Sequence, residues 1–315
     1  MALAVVSRAQ WLQQELALSA KRHTELIEQQ NVVLEATVAE RTQELSEKHQ
    51  ALNASHQVVV ESVNYASRLQ RGQLPRQSRI DHRFASFAAM WEPRDTIGGD
   101  VYWLSSAQIP GPFIMAVVDC TGHGVPGAML SLLVSNSLER IYAHDTQLDP
   151  AAALLSLDHL VRTGLNQDRT DSESDDGCDA ALLRIDSSAQ VVEFASAKLN
   201  LFRARPHGAV DRFAGARCSI GYQSTIAERD KPLTHQIAYQ SGDVFLIVTD
   251  GITDQLGGPT PQKSFGYRRL EKILQDHVHL SAELIVQAIQ GEFAAWQGDL
   301  ARRDDVTAIV FKLIN

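Results

Sequence analysis

The first 74 residues are almost free of the two amino acids that most often interrupt helices. They contain no proline and a single glycine, Gly72, whereas residues 75–315 hold all 10 prolines and the other 18 glycines. Proline removes a backbone donor and glycine costs conformational entropy, so their absence over this length favours one long helix. The pair Leu74-Pro75 predicts where that helix ends, because proline disfavours helix at the residue before it. We therefore expect two domains, a helical linker at 1–74 and a second domain at 75–315.

The predicted helix carries an apolar seam. Seam positions follow one another at alternating steps of four and three from residue 27 to residue 69. Apolar side chains fill eight of them, Ile27, Leu34, Val38, Leu45, Leu52, Val59, Ala66 and Leu69. Polar residues interrupt the seam at Asn31, Arg41, Lys48, Ser55 and Ser62. This spacing is typical of a weak coiled coil. The pattern predicts a homodimer through the N-terminal helices, with a single helix lying against its own domain as the alternative.

Charge and cysteine content exclude several classes of protein. The chain has 29 Lys+Arg against 38 Asp+Glu, a net charge of -9, and the excess acid lies in residues 75–315. Binding to a nucleic-acid backbone needs a basic face, so partners should be proteins or small molecules.

The three cysteines are far apart and form no C-x-x-C pair, which argues against a disulfide framework or a zinc site. The sequence also lacks a signal-peptide pattern and an apolar stretch of about 20 residues, which predicts a cytoplasmic protein.

After residue 83 the pattern changes to short apolar runs separated by turn residues. The runs predict strands at Phe84–Trp91, Asp100–Leu104, Phe113–Val118, Ala180–Ile185, Val191–Ala195, Val244–Thr249 and Val306–Leu313. Helical stretches are predicted at Val125–Tyr142, Pro150–Leu165, Tyr267–Gln275 and Ala282–Trp296. Strands outnumber helices and follow one another locally, which favours an α+β fold of antiparallel sheets covered by helices.

Aspartates stand beside glycine or at the end of several of these predicted strands. They occur in GGD at 98–100, in VVDCTGHG at 117–124, in VTDGITD at 248–254 and in RRDD at 302–305. A single such aspartate usually forms a turn, but converging carboxylates repel one another unless a cation lies between them. Oxygen ligands suit Mg²⁺ or Mn²⁺, and a pair of these ions can activate water for attack at phosphorus. The pattern predicts a site for two metal ions.

The four motifs GGDVYW, VVDCTGHGVPGAMLS, VTDGITD and RRDDVT resemble, in order and spacing, those of the PPM family of metal-dependent Ser/Thr phosphatases, and most of all its SpoIIE/RsbU branch. The resemblance covers about residues 76–315. More narrowly, the chain resembles the cytosolic phosphatase portion of SiaA-type receptors, which would place it in the cytoplasm as part of a membrane-anchored protein. The family fold is an αββα sandwich, two antiparallel sheets flanked by helices.

The resemblance also implies a ligand set for two Mn²⁺ or Mg²⁺ ions. By motif, Asp119 bridges both ions with the Cys120 carbonyl beside it, Asp100 adds a direct or water-mediated ligand, and Asp250 and Asp304 hold the second ion. Asp254 corresponds to an acidic position near a third, weaker metal site, or else caps a turn. Asp305 is the alternative to its neighbour Asp304.

Four other residues have open roles at this stage. His123 is either a general acid for the leaving seryl oxygen or a structural part of a Gly-His-Gly turn. Arg94 either binds the substrate phosphate as a bidentate fork or forms a surface ion pair. Asp176 and Asp179 both lie where the family carries a further acidic residue, and the sequence does not select one.

The resemblance implies hydrolysis of phosphoserine or phosphothreonine by attack of metal-bound water on a phosphorylated protein, with no phosphoenzyme. The implied substrate is a small SiaC-type regulator, of the anti-sigma-factor-antagonist kind, in a partner-switching system. Two alternatives remain at this stage. One is a metal-stabilised docking module without turnover, and the other is a phosphodiesterase that uses the same metal pair.

Overall fold

The computed structural model describes residues 2–105, 111–143, 147–169, 171–172, 174–224, 226–259 and 262–314, with side chains from residue 8 onward except residues 9 and 228. The chain divides into two compact units, Met1–Ser62 and Val63–Asn315. The helices are α1 (Ala2–Gln73), α2 (Gln77–Asp81), α3 (Gly124–Tyr142), α4 (Pro150–Gly164), α5 (Asp250–Thr253), α6 (Tyr267–His277) and α7 (Ala282–Gln297).

The strands belong to two five-stranded antiparallel sheets and one small hairpin. They are β1 (Phe84–Glu92), β2 (Val101–Leu104), β3 (Phe113–Cys120), β4 (Cys178–Asp186), β5 (Val191–Ala197), β6 (Leu201–Ala204), β7 (Val210–Phe213), β8 (His235–Ala238), β9 (Val244–Val248), β10 (Leu256–Gly257), β11 (Lys263–Ser264) and β12 (Val306–Leu313). One sheet has the order β1-β12-β9-β6-β7 and the other β2-β3-β4-β5-β8, while β10 pairs with β11.

The second unit buries apolar side chains in three layers. Strand β9 illustrates these layers, because all five of its apolar residues are buried and they point alternately to the two faces of the sheet. Phe245 and Ile247 face the layer between the two sheets, whereas Leu246 and Val248 face α6 and α7 on the outside. Helices α3 and α4 cover the other sheet in the same way, with Leu138 packed in that outer layer. Two sheets between two helical layers confirm the predicted αββα sandwich.

The long helix α1 runs without interruption over the segment in which proline is absent. Its predicted seam is solvent-exposed in the single chain, with Leu45 and Leu52 more than 60% exposed. Among the described residues, no helix combines the length and the apolar character needed to cross a bilayer.

Three short strands of the sandwich, β6, β7 and β8, were not predicted, of which β7 and β8 are edge strands. Each has only four residues, and strands this short carry little alternation in a sequence. In β8, which lies at the end of its sheet, three of the four side chains are exposed, so buried and exposed residues do not alternate. The predicted strands and helices were found, with ends shifted by one or two residues in most cases.

Candidate metal centre

Two aspartates lie at one end of the β2-β3-β4 sheet. Asp100 immediately precedes β2, and Asp119 is the penultimate residue of β3. Because β2 and β3 pair antiparallel with Val101 opposite Val118, the start of one strand meets the end of the other. Asp179, on β4, lies directly opposite Asp119 in the register of the next pair. Three carboxylates therefore share this edge.

The second sheet brings two more aspartates to the same edge. Strand β9 ends at Val248, and after one residue Asp250 opens the short helix α5. Asp304 stands two residues before β12, which pairs antiparallel with β9. The carboxyl groups of Asp119 and Asp250, which belong to different sheets, lie close enough for each to affect the pKa of the other. The sandwich thus joins residues that are 131 positions apart in the chain.

Several carboxylates, which carry like charges when ionised, lie close together at this edge. Burial raises the pKa of Asp119 well above its ordinary value, and the charges of Asp100, Asp250, Asp179 and Asp304 raise it further. Burial likewise raises the pKa of Asp250, with Asp304 the next contributor. Carboxylates placed this way cost free energy when they ionise, unless a cation compensates them.

Asp100 is the most constrained carboxylate of the group. It is 2% exposed, and its Oδ2 accepts hydrogen bonds from the hydroxyls of Thr249 (2.7 Å) and Thr307 (2.6 Å). Burial raises the pKa of Asp100 to about 7, the two hydroxyls oppose the rise, and the charges of Asp305 and Asp304 add to it. Both threonine bonds use one oxygen, so Oδ1 is the atom left for a cation.

Asp304 and Asp305 are adjacent but occupy different environments. The carboxylate of Asp305 is buried and accepts 2.6 Å hydrogen bonds from the backbone N–H groups of Arg94 and Gly99. Asp305 therefore fastens the 94–100 segment to the start of β12. Asp304 is half-buried, and its Oδ1 accepts a bond from the N–H of Asp305. Of the two, Asp304 keeps a carboxylate that can face a cation.

The sheet ends that carry Asp100, Asp119, Asp179, Asp250 and Asp304 are called the metal edge below. Gly99 lets the backbone come close to this edge. A Cβ at this position would lie 2.6 Å from the carbonyl oxygen of Cys120 and 2.8 Å from that of Gly122. Such contacts are too short for any side chain, so only glycine permits this packing. The Cys120 carbonyl, predicted as a ligand beside Asp119, thus lies against the Gly99 backbone. Its thiol is buried and contacts that of Cys178.

The remaining predicted residues lie around this centre. Asp254 is exposed at the end of α5, and its charge contributes to the raised pKa of Asp250. His123 is exposed at the start of α3, with its Nδ1 2.6 Å from Oδ2 of Asp95. The guanidinium of Arg94 donates a 3.1 Å hydrogen bond to the carbonyl oxygen of Arg303, next to Asp304.

The structure distinguishes Asp176 from Asp179. The backbone of Asp176 is held by the side chain of Gln167, which accepts from its N–H and donates to its carbonyl, both at 2.7 Å. Asp179 instead faces Asp119 and contributes to the raised pKa of that residue. Asp179 is therefore the member of the pair that adjoins the metal edge.

Gln70, which the sequence analysis did not single out, supports the same edge. This residue of α1 is 3% exposed, and its amide donates to the carbonyl of Gly98 (2.6 Å) and to the hydroxyl of Ser131 (3.1 Å). Its Oε1 accepts from the N–H of Gly98. The local sequence gives no signal for this role, because Gln70 lies among other polar residues, Arg68, Arg71 and Gln73, near the helix end.

The donor set fits a divalent cation of the Mg²⁺ or Mn²⁺ type. All of its candidate ligands are carboxylate or carbonyl oxygens, which these ions prefer. Among the described residues, no three His, Cys, Asp or Glu side chains are arranged as a group that could hold a metal ion as they stand. The arrangement is instead an open set of carboxylates that repel one another. Hydrogen bonds donated by Thr249, Thr307 and the backbone stabilise part of their negative charge.

Comparison with known proteins identifies the fold and the family of the chain. The family model for stage II sporulation protein E (SpoIIE) matches residues 110–314. The solved SiaA PP2C domain of Pseudomonas aeruginosa is 31% identical with a TM-score of 0.71, and the match covers 83% of this chain and 98% of that one. No curated protein sequence matches the chain.

Two more distant structures share the fold. The PP2C domain of SpoIIE from Bacillus subtilis, solved with a fragment of its regulatory domain, is 16% identical with a TM-score of 0.56, covering 74% of this chain and 65% of that one. A Mycobacterium tuberculosis protein with RsbU and RsbW domains is 14% identical with the same TM-score, covering 73% and 60%. With the oxygen-rich edge, the αββα sandwich and the family match together, the chain belongs to the SpoIIE family of PP2C-type, metal-dependent Ser/Thr protein phosphatases.

Proposed function

We propose that this phosphatase acts on a phosphorylated regulatory protein of a partner-switching system, a small anti-sigma-antagonist-like regulator of the SiaC type. The similarity to the SiaA PP2C domain over nearly all of that domain's length supports this substrate class. We further propose residues 75–315 as the phosphatase domain and residues 1–74 as its helical linker. The chain would then work in the cytoplasm as the output portion of a receptor.

The observation that carries the catalytic proposal is geometric: strand pairing brings Asp100, Asp119 and Asp179 to one end of their sheet. The charges of Asp250 and Asp304, from the other sheet, act on Asp119 there. We assign Asp119, Asp250, Asp304 and Oδ1 of Asp100, with the Cys120 carbonyl, as ligands of two Mn²⁺ or Mg²⁺ ions, and Asp254 as part of a weaker third site. When bound, such ions supply an activated water and neutralise charge on the phosphoryl oxygens.

The chain itself holds and orients these groups. Thr249 and Thr307 fix Oδ2 of Asp100, so that carboxylate cannot rotate away from the edge. Arg94 would bind the substrate phosphate, since its guanidinium lies against the Arg303 carbonyl next to Asp304. We assign His123 as the group that protonates the leaving oxygen from Nε2, because Asp95 engages Nδ1 and fixes the ring.

The test is phosphate release by the full chain from a phosphoserine peptide, a phosphothreonine peptide and an aryl phosphate, with Mn²⁺, Mg²⁺ or EDTA. We expect turnover of all three with either ion and none with EDTA. An aryl phosphodiester serves as the comparison substrate. Faster hydrolysis of the diester than of the monoesters would contradict the proposed function and favour a phosphodiesterase.

We also propose that the chain is a homodimer through α1. The seam residues are exposed in the single chain, and about 2 kcal/mol or more is gained by burying each large apolar side chain. We expect Leu45→Asn combined with Leu52→Asn to halve the mass measured by light scattering. Val32→Asn combined with Val33→Asn, at two exposed positions on the side of the helix away from the seam, should leave the mass unchanged. A monomeric mass for the unmodified chain would contradict the proposal.

A further inference from the structure

A basic cleft adjoins the metal edge and is not used by any assignment above. Its volume is about 480 Å³, and Lys198, Arg217 and Tyr222 are among the residues that line it. A second cleft of about 410 Å³ continues from it and shares Arg217 and Asp230 with the first. Both lie in the segment that follows β5.

Two contacts connect the first cleft to the metal centre. The Lys198 ammonium lies 3.3 Å from the carboxylate of Asp179, which stands opposite Asp119 in the strand register. The hydroxyl of Tyr222 lies 2.6 Å from that of Thr121, two residues after Asp119. A substrate whose phosphorylated residue lies at the metal edge would therefore extend neighbouring residues into this cleft.

The backbone at Lys198 is unusual for a lysine. Its φ is +63°, in the left-handed region where glycine and asparagine are the inexpensive residues. The turn is held by a 2.9 Å bond from the Lys198 N–H to the carbonyl of Ala216, and Gly215 packs against it. Strained backbone positions occur preferentially at functional sites. The long cationic side chain at this position therefore suggests a functional role for Lys198.

The lining charges are mostly positive in a chain of net charge -9. Lys198, Arg217, Arg229 and Lys231 line the two clefts, against one described carboxylate, Asp230. Within the described part of the chain, the exposed Arg217 has no hydrogen-bond or ion-pair partner. Lys198 pairs with Asp179 and Arg229 with Asp230. At physiological salt, charges farther than about 8 Å away are largely screened, so Arg217 supplies the uncompensated positive charge of the first cleft.

We propose that this cleft, which we call the basic cleft, binds acidic side chains next to the phosphorylated residue of the substrate protein. The inference rests on the proposed phosphoprotein phosphatase function and adds a sequence preference to it. Lys198 has three N–H donors, so it can bond to Asp179 and to a substrate carboxylate at once. Arg217 offers a planar fork that matches a carboxylate.

The experiment compares two fluorescent phosphoserine peptides that differ only in their flanking residues, Glu in one and Gln in the other. We expect the full chain with Mn²⁺ to favour the Glu peptide in kcat/KM by roughly fivefold, as two exposed ion pairs would give. Arg217→Gln and Lys198→Asn should each reduce that preference to about twofold. Asparagine suits the left-handed backbone at residue 198, and Lys272→Gln on α6 is the control that should keep the full preference.

Anisotropy of the same peptides in EDTA measures binding without turnover. We expect the same order of preference, weakened by added salt, and an unphosphorylated Glu peptide should also bind the unmodified chain better than Arg217→Gln. Equal binding and turnover of the Glu and Gln peptides would overturn the basic cleft while leaving the phosphatase function intact. If Arg217→Gln weakened binding and turnover of the Glu and Gln peptides equally, the proposed role of the basic cleft would also be wrong, because Arg217 would then bind the phosphoryl group. Preferential binding with no turnover of either peptide would contradict the proposed function and support the basic cleft.

Discussion

Replacing Asp119 with Asn is expected to abolish phosphatase activity, by about a thousandfold or more, because a metal pair contributes several kcal/mol to the barrier reduction. The side chain remains the same size, so the strand should not change. The measurement is the rate of phosphate release from a phosphoserine peptide with Mn²⁺, together with the affinity for Mn²⁺ by calorimetry.

Stability distinguishes a ligand from a structural residue in this case. Asp119 is surrounded by like charges that raise its pKa, so removing its charge relieves repulsion in the metal-free protein. We expect the Tm of Asp119→Asn in EDTA to equal or exceed that of the unmodified chain, with less gain on adding Mn²⁺. Asp276→Asn, at an exposed site on α6, is the matched control for loss of one carboxylate. Near-normal turnover in Asp119→Asn would contradict the assignment of this residue as a ligand.

Adjacent aspartates should give opposite results when each is replaced with alanine. Asp305→Ala leaves the N–H groups of Arg94 and Gly99 without their carboxylate partner. Each buried unpaired amide costs about 1–3 kcal/mol, so we expect a loss of roughly 3 kcal/mol in the free energy of unfolding. For a domain of this size that loss corresponds to a decrease in Tm of about 6–12 °C.

Asp304→Ala should instead keep the Tm within about 3 °C, since only one partly exposed bond to the N–H of Asp305 is lost. Its activity with Mn²⁺ should fall at least about a hundredfold, because the proposed ligand of the second ion is removed. Thermal unfolding in EDTA and phosphate release with Mn²⁺ are measured on both variants. If Asp304→Ala were the less stable protein and Asp305→Ala the inactive but stable one, the assignment of ligand and structural roles would be reversed.

The positions of Asp119 and Asp250 at strand ends could be predicted from the residues alone, whereas the different environments of Asp304 and Asp305 could not. Asp119 and Asp250 each follow an apolar run that had to be a core strand, so both were expected at strand ends. Asp304 and Asp305 are identical in type and adjacent, and no local pattern says which side chain turns inward. Only the position of the Arg94 and Gly99 amides, over 200 residues away in the chain, assigns Asp305 to the backbone.

Tertiary structure likewise decided the supporting residues. Thr249 and Thr307 lie within the acidic motifs VTDGITD and RRDDVT, yet their bonds to Asp100 exist only because the two sheets face each other. Gln70 is polar in a helix whose other polar residues are mostly exposed, and its burial follows from packing against Gly98. The left-handed backbone of Lys198 is equally a property of the turn between two sheets.

The sequence by itself determined the long helix, the main strands and helices, the order of the acidic motifs and their preference for hard divalent ions. These follow from local rules, namely the absence of proline and glycine in α1, the apolar periodicity of the strands and the oxygen chemistry of aspartate. Only the tertiary structure decided which carboxylate faces the metal edge, which one holds the backbone, and which cations line the basic cleft. Those choices depend on contacts between residues far apart in the chain, and such contacts exist only once the two sheets have packed.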